Sequence, residues 1–307
     1  MMKRTLFGAC VMLVLLTSMS KAAEDRVLRM GVIPLESAKI MYKQFTPLAK
    51  YLSQELGMKV KVVVGKDYQT VMDALGQNDV QFAYLTPTTF PKCERQNPES
   101  QIQPIVRFQV KGKGTYRSCI IVPADSPIGN VEELKGKSFA FGNSNSTSSH
   151  LMPRAILVQN GIDIDKDLSE YKYLDSHTNV ATAIKMKKYA GGGVKESVAE
   201  KFEKSGDVKI IARSKDIPEF PVCVSKHLDK NIRERLTQAL LKLTSLAAAE
   251  DAAAKAVLTS INKKYTGCEV AKGQDYDTIR EMIQSLYGDE FYRHPDRQVS
   301  KNTDGVR

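Results

Sequence analysis

A run of hydroxyl and amide side chains between Asn143 and Pro153 is the segment of the sequence best suited to chemistry. It follows a predicted strand that ends at Phe141, and it opens a predicted helix over residues 148–160. The first N–H groups of a helix lack intrahelical acceptors, and the helix dipole is positive at that end. Hydroxyl donors at the same place belong to Ser146, Thr147 and Ser148. The segment predicts a site for an oxyanion that needs no basic side chain; the alternative is ordinary capping by one serine.

A second polar turn, Asp175 to Thr178, also lies between a predicted strand and a predicted helix. Within this turn His177 is placed to donate a ring N–H to the same anion. The alternative is an ordinary surface or capping histidine. Because both turns follow the carboxyl ends of strands, where open α/β sheets bind ligands, together they predict one anion site.

The sequence contains no complete motif for catalysis, nucleotide binding or metal binding. The segment Gly136–Ser138 resembles the end of a P-loop, but Val131 occupies the required glycine position. The run Gly191–Gly193 is not followed by nucleotide-binding spacing, and no C-x-x-C occurs. The four histidines lack the spacing of metal ligands, and no nucleophile, base and oxyanion hole assemble. The sequence therefore predicts a binding protein with no catalytic residue, no metal and no cofactor.

The elements that position the two turns alternate between strand and helix. With 307 residues, 42% hydrophobic and 26% charged, the chain has the composition of a folded protein of about two domains. Predicted strands at 27–33, 59–64 and 80–85 enclose predicted helices at 45–56 and 68–75, and a second alternating set begins near Val122. Thr46 and Pro47 fit the N-cap and first position of a helix. This alternation predicts an α/β protein with mostly parallel sheets.

The N-terminus has the pattern of a secretory signal peptide. Lys3 and Arg4 precede an apolar stretch from Leu6 to Leu16, and small residues flank Lys21 at the end of the segment 1–22. The alternative is an N-terminal membrane anchor. Export predicts a periplasmic protein, and the formal charge of +10 then indicates an acidic surface or an anionic ligand rather than nucleic acid.

Short motifs that recur in order over roughly residues 27 to 290 carry a family resemblance. They are Gly31–Pro34, Asp67-Tyr68, Tyr116–Ser118, Asp125–Ile128, Leu134–Lys137, Asn145–Ser148 with Pro153, Ser176-His177, Ile217-Pro218 and Asp275–Asp277. In this order they resemble the PhnD-like family, the periplasmic substrate-binding proteins of phosphate, phosphite and phosphonate ABC importers.

The resemblance implies a type II periplasmic-binding clamshell, with two α/β lobes joined by two hinge strands. Residues 23–121 plus 222–295 form lobe 1, residues 122–221 form lobe 2, and 296–307 form a flexible tail. The hinge strands are expected near Ile120 and Val222. A monomer that hands its ligand to an ABC permease in the inner membrane is implied, with no nucleic acid as partner. Two other roles stay open: a ligand-sensing subunit for a membrane kinase, and an enzyme on the same scaffold.

Family members hold the phosphorus oxyanion on the serine-rich helix start and the following histidine. The residues that correspond here are Ser146, Thr147, Ser148 and His177 in lobe 2, opposed by Tyr68, Tyr116, Thr86 and Thr88. Relatives that bind aminoalkyl phosphonates also have carboxylates at the far end of the cleft. Phe220 stands at one such position, and Glu196 lies near the other. The resemblance therefore favours phosphate, phosphite or a short alkyl phosphonate, unless Glu219 turns inward.

Four cysteines follow the signal peptide, and an exported protein can retain disulfides. Four cysteines permit three full pairings. Since Cys119 and Cys223 fall in the implied hinge strands, and Cys93 and Cys268 fall in the same implied lobe, the pairs Cys119–Cys223 and Cys93–Cys268 are expected. The alternative is that all four are buried thiols that pack as small apolar residues.

Overall fold

The computed structural model of the protein describes residues 27–293. The predicted signal peptide, 1–22, and the predicted tail, 296–307, lie outside the described residues. Across 27–293, none of the helices combines the length and apolar character that crossing a bilayer demands.

The strands of the described residues belong to three sheets. Their bounds are β1 (Val27–Val32), β2 (Lys59–Val64), β3 (Phe82–Tyr84), β4 (Gln103–Val110), β5 (Thr115–Tyr116), β6 (Ser118–Pro123), β7 (Ser138–Phe141), β8 (Glu170–Tyr173), β9 (Gly191–Lys195), β10 (Val208–Arg213), β11 (Ile217–Pro218), β12 (Pro221–Val224) and β13 (Tyr265–Val270).

The helices cover the faces of these sheets. Their bounds are α1 (Ala38–Leu56), α2 (Tyr68–Gly76), α3 (Thr89–Gln96), α4 (Met152–Gln159), α5 (Ile164–Asp167), α6 (His177–Lys185), α7 (Glu196–Lys204), α8 (Lys230–Ala248), α9 (Ala252–Ile261), α10 (Asp277–Tyr287) and α11 (Glu290–Arg293). A π-helical turn, Thr147–Leu151, leads directly into α4.

Each lobe has its own sheet. The sheet of lobe 1 has the order β13-β4-β12-β3-β1-β2, and that of lobe 2 has the order β10-β6-β9-β7-β8. The predicted lobe boundaries at 121/122 and 221/222 fall within β6 and β12. One continuous apolar core fills lobe 1, and two smaller cores lie on the opposite faces of the lobe 2 sheet.

The expectation of mostly parallel sheets is wrong, because most strand pairs within residues 27–293 are antiparallel, among them the strands that join the lobes and the pair of β13 with β4. β1 is parallel to β2 and β3, and β7 is parallel to β8 and β9. In contrast, β12 is antiparallel to β3 and β4, and β6 is antiparallel to β9 and β10. A strand that comes from the other lobe enters the sheet at the carboxyl ends of the parallel strands, so it runs antiparallel to them.

The two crossings between the lobes form a short ribbon of their own. β5 and β11 pair antiparallel, with Tyr116 opposite Ile217 and Thr115 opposite Pro218. We call this pair the hinge ribbon. It lies a few residues before Ile120 and Val222, near which the crossings are expected from the sequence.

Helix α1 begins at Ala38, so the expectation that Pro47 occupies its first turn is wrong. Met41 and Phe45 extend the buried face of the helix toward its N-terminus. Burying a side chain of this size contributes roughly 1.5–3 kcal/mol. Together the two residues offset the ~3 kcal/mol that a proline inside a helix costs.

The four cysteines of the described residues are free and buried, so both expected disulfides are wrong. Cys119 lies on β6 in the sheet of lobe 2, whereas Cys223 lies on β12 in the sheet of lobe 1. The strands that carry them do not run side by side. Burial raises the pKa of each thiol above its usual range, which keeps these residues protonated and apolar in character.

Candidate functional site

The hydroxyl-rich segment forms a capped turn at the start of a helix, as the sequence predicts. Ser146 is the N-cap, and its Oγ accepts from the N–H of Ser149 at 3.2 Å. The N–H of Leu151 bonds to the carbonyl of Ser146 at 3.1 Å, which makes the first turn π-helical. Such turns are frequent at functional sites. The N–H groups of Thr147 and Ser148, at the first two positions, have no intrahelical acceptor.

The glycine run on β9 allows this turn to approach the sheet. A Cβ at Gly193 would lie 2.3 Å from Cγ of Pro153, and a Cβ at Gly192 would lie 2.7 Å from a methyl group of Val180. Side chains at these positions would force the helices away from the strand. The run Gly191–Gly193 therefore has a packing role, which is consistent with its lack of nucleotide-binding spacing.

The loop after β3 in lobe 1 meets the hydroxyl turn of lobe 2 directly. The N–H and the hydroxyl of Thr88 donate to Oγ1 of Thr147 at 3.0 and 2.8 Å. The hydroxyl of Thr86 lies 3.4 Å from the carbonyl of Asn145, whose side-chain oxygen accepts from the ammonium of Lys92 at 2.8 Å. All of these residues are buried. The two lobes are therefore in contact across the cleft.

Tyr116 and Tyr68 line the same region from the hinge ribbon and from lobe 1. Tyr116 is buried on β5, and its hydroxyl lies beside Thr147 and Ser148 without a hydrogen bond of ordinary geometry within residues 27–293. Burial raises the pKa of Tyr116 above its usual range, so the phenol stays protonated as a donor. Tyr68 is buried at the start of α2, which Asp67 caps.

His177 begins α6 behind its N-cap Ser176, at the place the sequence predicts. Its Nδ1 accepts the backbone N–H of Lys195 at 3.0 Å, which fixes the ring proton on Nε2. Burial, with the charge of Lys195 in second place, lowers the pKa of His177 to about 3. The imidazole is therefore neutral at physiological pH, with Nε2–H as its donor.

An ion pair that the sequence did not reveal occupies the inner end of the cleft. Lys195 Nζ lies 2.9 Å from Oε1 of Glu219, and the side chain of Glu219 is fully buried. The second oxygen of Glu219 accepts from the N–H of Phe220 at 3.1 Å and from the hydroxyl of Tyr265 at 3.2 Å. Lys195 is opposite Ser118 in the β6–β9 register, so it lies next to the hinge ribbon.

Glu196 and Phe220 lie at or near the positions where relatives that bind aminoalkyl phosphonates have carboxylates, but here both have other contacts. Glu196 binds Arg213, with Oε1 and Nε 3.1 Å apart, and Glu196 is not part of the ion pair. Phe220 is buried and stacks on Tyr84, with ring centroids 5.1 Å apart. The inward carboxylate is Glu219, as the one-residue shift considered from the sequence would require.

His150, three residues after Thr147, is a buried histidine. Its Nδ1 lies 2.5 Å from the carbonyl of Ser144, while Nε2 lies 2.9 Å from the hydroxyl of Tyr173 and 2.5 Å from that of Tyr287. Burial lowers the pKa of His150 to about 3. Because Tyr287 ends α10, this contact ties α10 to lobe 2.

Of the eight residues predicted to bind the ligand, the structure places seven around one interlobe region. These are Ser146, Thr147, Ser148, Thr86, Thr88, Tyr116 and Tyr68. His177 is linked to this region only indirectly, because its Nδ1 accepts from the backbone of Lys195, whose ammonium lies over the ring of Tyr116. Within residues 27–293, no three His, Cys, Asp or Glu side chains converge as metal ligands do.

Two α/β lobes, a two-strand hinge and a polar region enclosed between them define the class of type II periplasmic binding proteins. The chain belongs to the family described as ABC transporter, phosphonate, periplasmic substrate-binding protein, whose pattern it matches over residues 30–276.

Known relatives agree with this assignment. The phosphonates-binding periplasmic protein of Escherichia coli K12 is 28% identical over 226 residues, which cover 69% of this chain and 65% of that protein. A protein of Prochlorococcus marinus, described as a probable ABC transporter phosphite binding protein PhnD1, is 26% identical over 148 residues, or 46% of this chain and 48% of that protein. The solved structure of PhnD1 from that organism in complex with methylphosphonate has a TM-score of 0.74 at 21% identity, and the match covers 85% of this chain and 98% of that chain.

Proposed function

We propose that the protein captures a phosphorus oxyanion between its two lobes and delivers it to an ABC importer. The proposed ligands are phosphate, phosphite or a short alkyl phosphonate. The protein would act as a monomer in the periplasm and would bind its ligand without turnover. The names of the relatives support this choice, since they refer to phosphonates and phosphite and one solved neighbour contains methylphosphonate.

The observation that carries the proposal is the meeting of donors from both lobes at one helix start. Thr147 Oγ1 already accepts two hydrogen bonds from Thr88, so its own proton is available to a further acceptor. The N–H groups of Thr147 and Ser148, the phenol of Tyr116 and Nε2–H of His177 are further donors. A dense set of neutral donors at a positive helix end is suited to an oxyanion.

Charge near the site also favours an anion. The ammonium of Lys92 is buried and donates to Asn145, the residue that precedes Ser146. In a region with little water, such a charge acts on a nearby anion more strongly than a surface lysine does. The Glu219 carboxylate is balanced by Lys195, so it adds little repulsion.

Closure of the lobes follows from the same contacts. The bonds between Thr88 and Thr147 join lobe 1 to lobe 2, and they form only when the cleft is shut. An anion that contacts both walls stabilises the shut form over the open form. We expect small-angle scattering to show a smaller radius of gyration with saturating ligand.

Calorimetry of the purified protein against phosphate, phosphite, methylphosphonate, aminoethylphosphonate and sulfate tests the proposal. We expect binding of at least one of the first three, with sulfate weaker than that ligand. Incubation with the bound ligand, followed by phosphorus NMR, should return it unchanged. Heat from none of the phosphorus compounds, with a folded protein, would refute the proposed function.

A further inference from the structure

The ammonium of Lys195 lies in a complete cation site built from the chain itself. Besides the carboxylate of Glu219, two aromatic faces surround it: the ring centroid of Tyr116 lies 4.0 Å from Nζ and that of Phe220 lies 4.8 Å away. The side chain of Lys195 is only 13% exposed. A carboxylate with two aromatic faces is the environment in which proteins hold ammonium groups. We call Tyr116, Glu219 and Phe220 the cation cage.

The cation cage adjoins the hydroxyl turn through a single residue. The ring of Tyr116 faces Lys195, while its hydroxyl lies beside Thr147 and Ser148. An anion at the turn and a cation in the cage are therefore separated by about the length of one phenol ring. A molecule with an oxyanion at one end and an ammonium two carbons away matches this spacing.

The carboxylate of the cage is held in place independently of Lys195. The hydroxyl of Tyr265 donates to Oε2 of Glu219, and the hydroxyl of Tyr276 donates to the backbone carbonyl of Glu219 at 2.9 Å. The backbone N–H of Glu219 donates to the carbonyl of Gly114 at 2.8 Å. Removal of the lysine side chain would leave the cage walls in position. The cage would then be open to a cation from the ligand.

We propose that Lys195 is the specificity-determining residue of the cleft, because it fills with its own ammonium a subsite that would otherwise accept the ammonium of an aminoalkyl phosphonate. This inference rests on the proposed function for the anion end of the ligand. The cation cage itself is independent of that function. The ligand of the wild-type protein is therefore an oxyanion without an amine.

The test is a comparison of methylphosphonate and aminoethylphosphonate by calorimetry. The wild type should prefer methylphosphonate by at least about tenfold in Kd. Lys195→Ala should shift this ratio toward aminoethylphosphonate by at least about tenfold, because the cage becomes vacant. Lys195→Met, which loses the charge but fills the space, should show no gain, and neither should Lys195→Ala with Glu219→Gln.

A second measurement does not depend on the oxyanion. Methylammonium chloride should raise the Tm of Lys195→Ala more than that of the wild type, with sodium chloride as the salt control. Lys201→Ala, at an exposed lysine of α7, serves as the matched substitution and should respond as the wild type does.

The outcomes separate the two proposals. If the wild type binds no phosphorus compound, the proposed function fails, and the methylammonium response still decides on the cage. An unchanged ligand ratio in folded Lys195→Ala overturns the inference alone. If that variant does not fold, preferred binding of aminoethylphosphonate by the wild type overturns the inference, and preference for methylphosphonate supports it.

Discussion

Replacement of Thr147 by alanine is the sharpest test of the interlobe contacts. The substitution removes one hydroxyl group, which accepts both the N–H and the hydroxyl of Thr88 and is a donor to the proposed anion. The backbone of the π-helical turn keeps its other bonds, because Ser146 remains the N-cap. The change is therefore confined to the contact between the lobes.

The size of the effect follows from burial. Thr88 is fully buried in the closed protein, so its N–H would lose its acceptor without access to water. A buried group left without a partner costs about 1–3 kcal/mol. This cost falls on the closed form alone, since in the open form water can bind the N–H. Ligand binding requires closure, so Kd should rise by about 5–150-fold.

Calorimetry with the ligand that binds best to the wild type measures this change. Thr147→Ser keeps the hydroxyl and is the matched control, with an affinity expected close to that of the wild type. Thermal unfolding without ligand should show both variants folded. An alanine variant that binds as tightly as the serine variant would show that Thr147 has no part in closure or in the site.

Three further predictions concern packing, pH and the thiols. Gly193→Ala should lower the free energy of unfolding by about 1–3 kcal/mol, because the new Cβ would overlap Pro153. Gly129→Ala, whose Cβ would have no atom within 4 Å, should be nearly neutral and serves as the control. Urea titrations of the two variants measure the difference. His150 and His177 have pKa values of about 3 in the folded protein against 6.5 ordinarily, so the unfolded chain binds more protons between these values. The free energy of unfolding should then fall, as pH decreases from about 6.5 toward 3, by up to about 1.4 kcal/mol per pH unit per histidine, and urea titrations of His150→Gln should show a shallower fall. The four buried cysteines should resist alkylation in the native protein and all react in denaturant without reductant; mass spectrometry that finds any of them still blocked would contradict the free thiols.

Local signals in the sequence account for the parts of the site that were predicted. The N-caps Ser146 and Ser176 are recognisable because a capping side chain bonds to an N–H three residues away. Their positions after strands follow from the alternation of elements. No comparable local signal shows that α1 continues through Pro47, because the buried face that stabilises the helix there depends on packing against the lobe 1 core.

The ion pair at the inner end of the cleft was not predictable because its two residues come from distant elements. Lys195 ends β9 in lobe 2, while Glu219 follows the second hinge strand. Their pairing depends on the hinge ribbon, whose position was expected a few residues too late along the chain. The same displacement placed Cys119 and Cys223 on neighbouring strands, although each belongs to a different sheet.

The two ends of the cleft lie at unequal distances from the hinge ribbon, about which the lobes rotate. Tyr116 belongs to the ribbon, Glu219 follows it directly, and Lys195 is opposite Ser118, two residues beyond Tyr116. When the lobes rotate, atoms near the axis move least, so these three side chains should keep their arrangement in the open protein. Thr88 and Thr147 belong to different lobes and separate as the cleft opens. The inner end of the cleft should therefore be formed before a ligand binds, and only the outer end should close around the ligand.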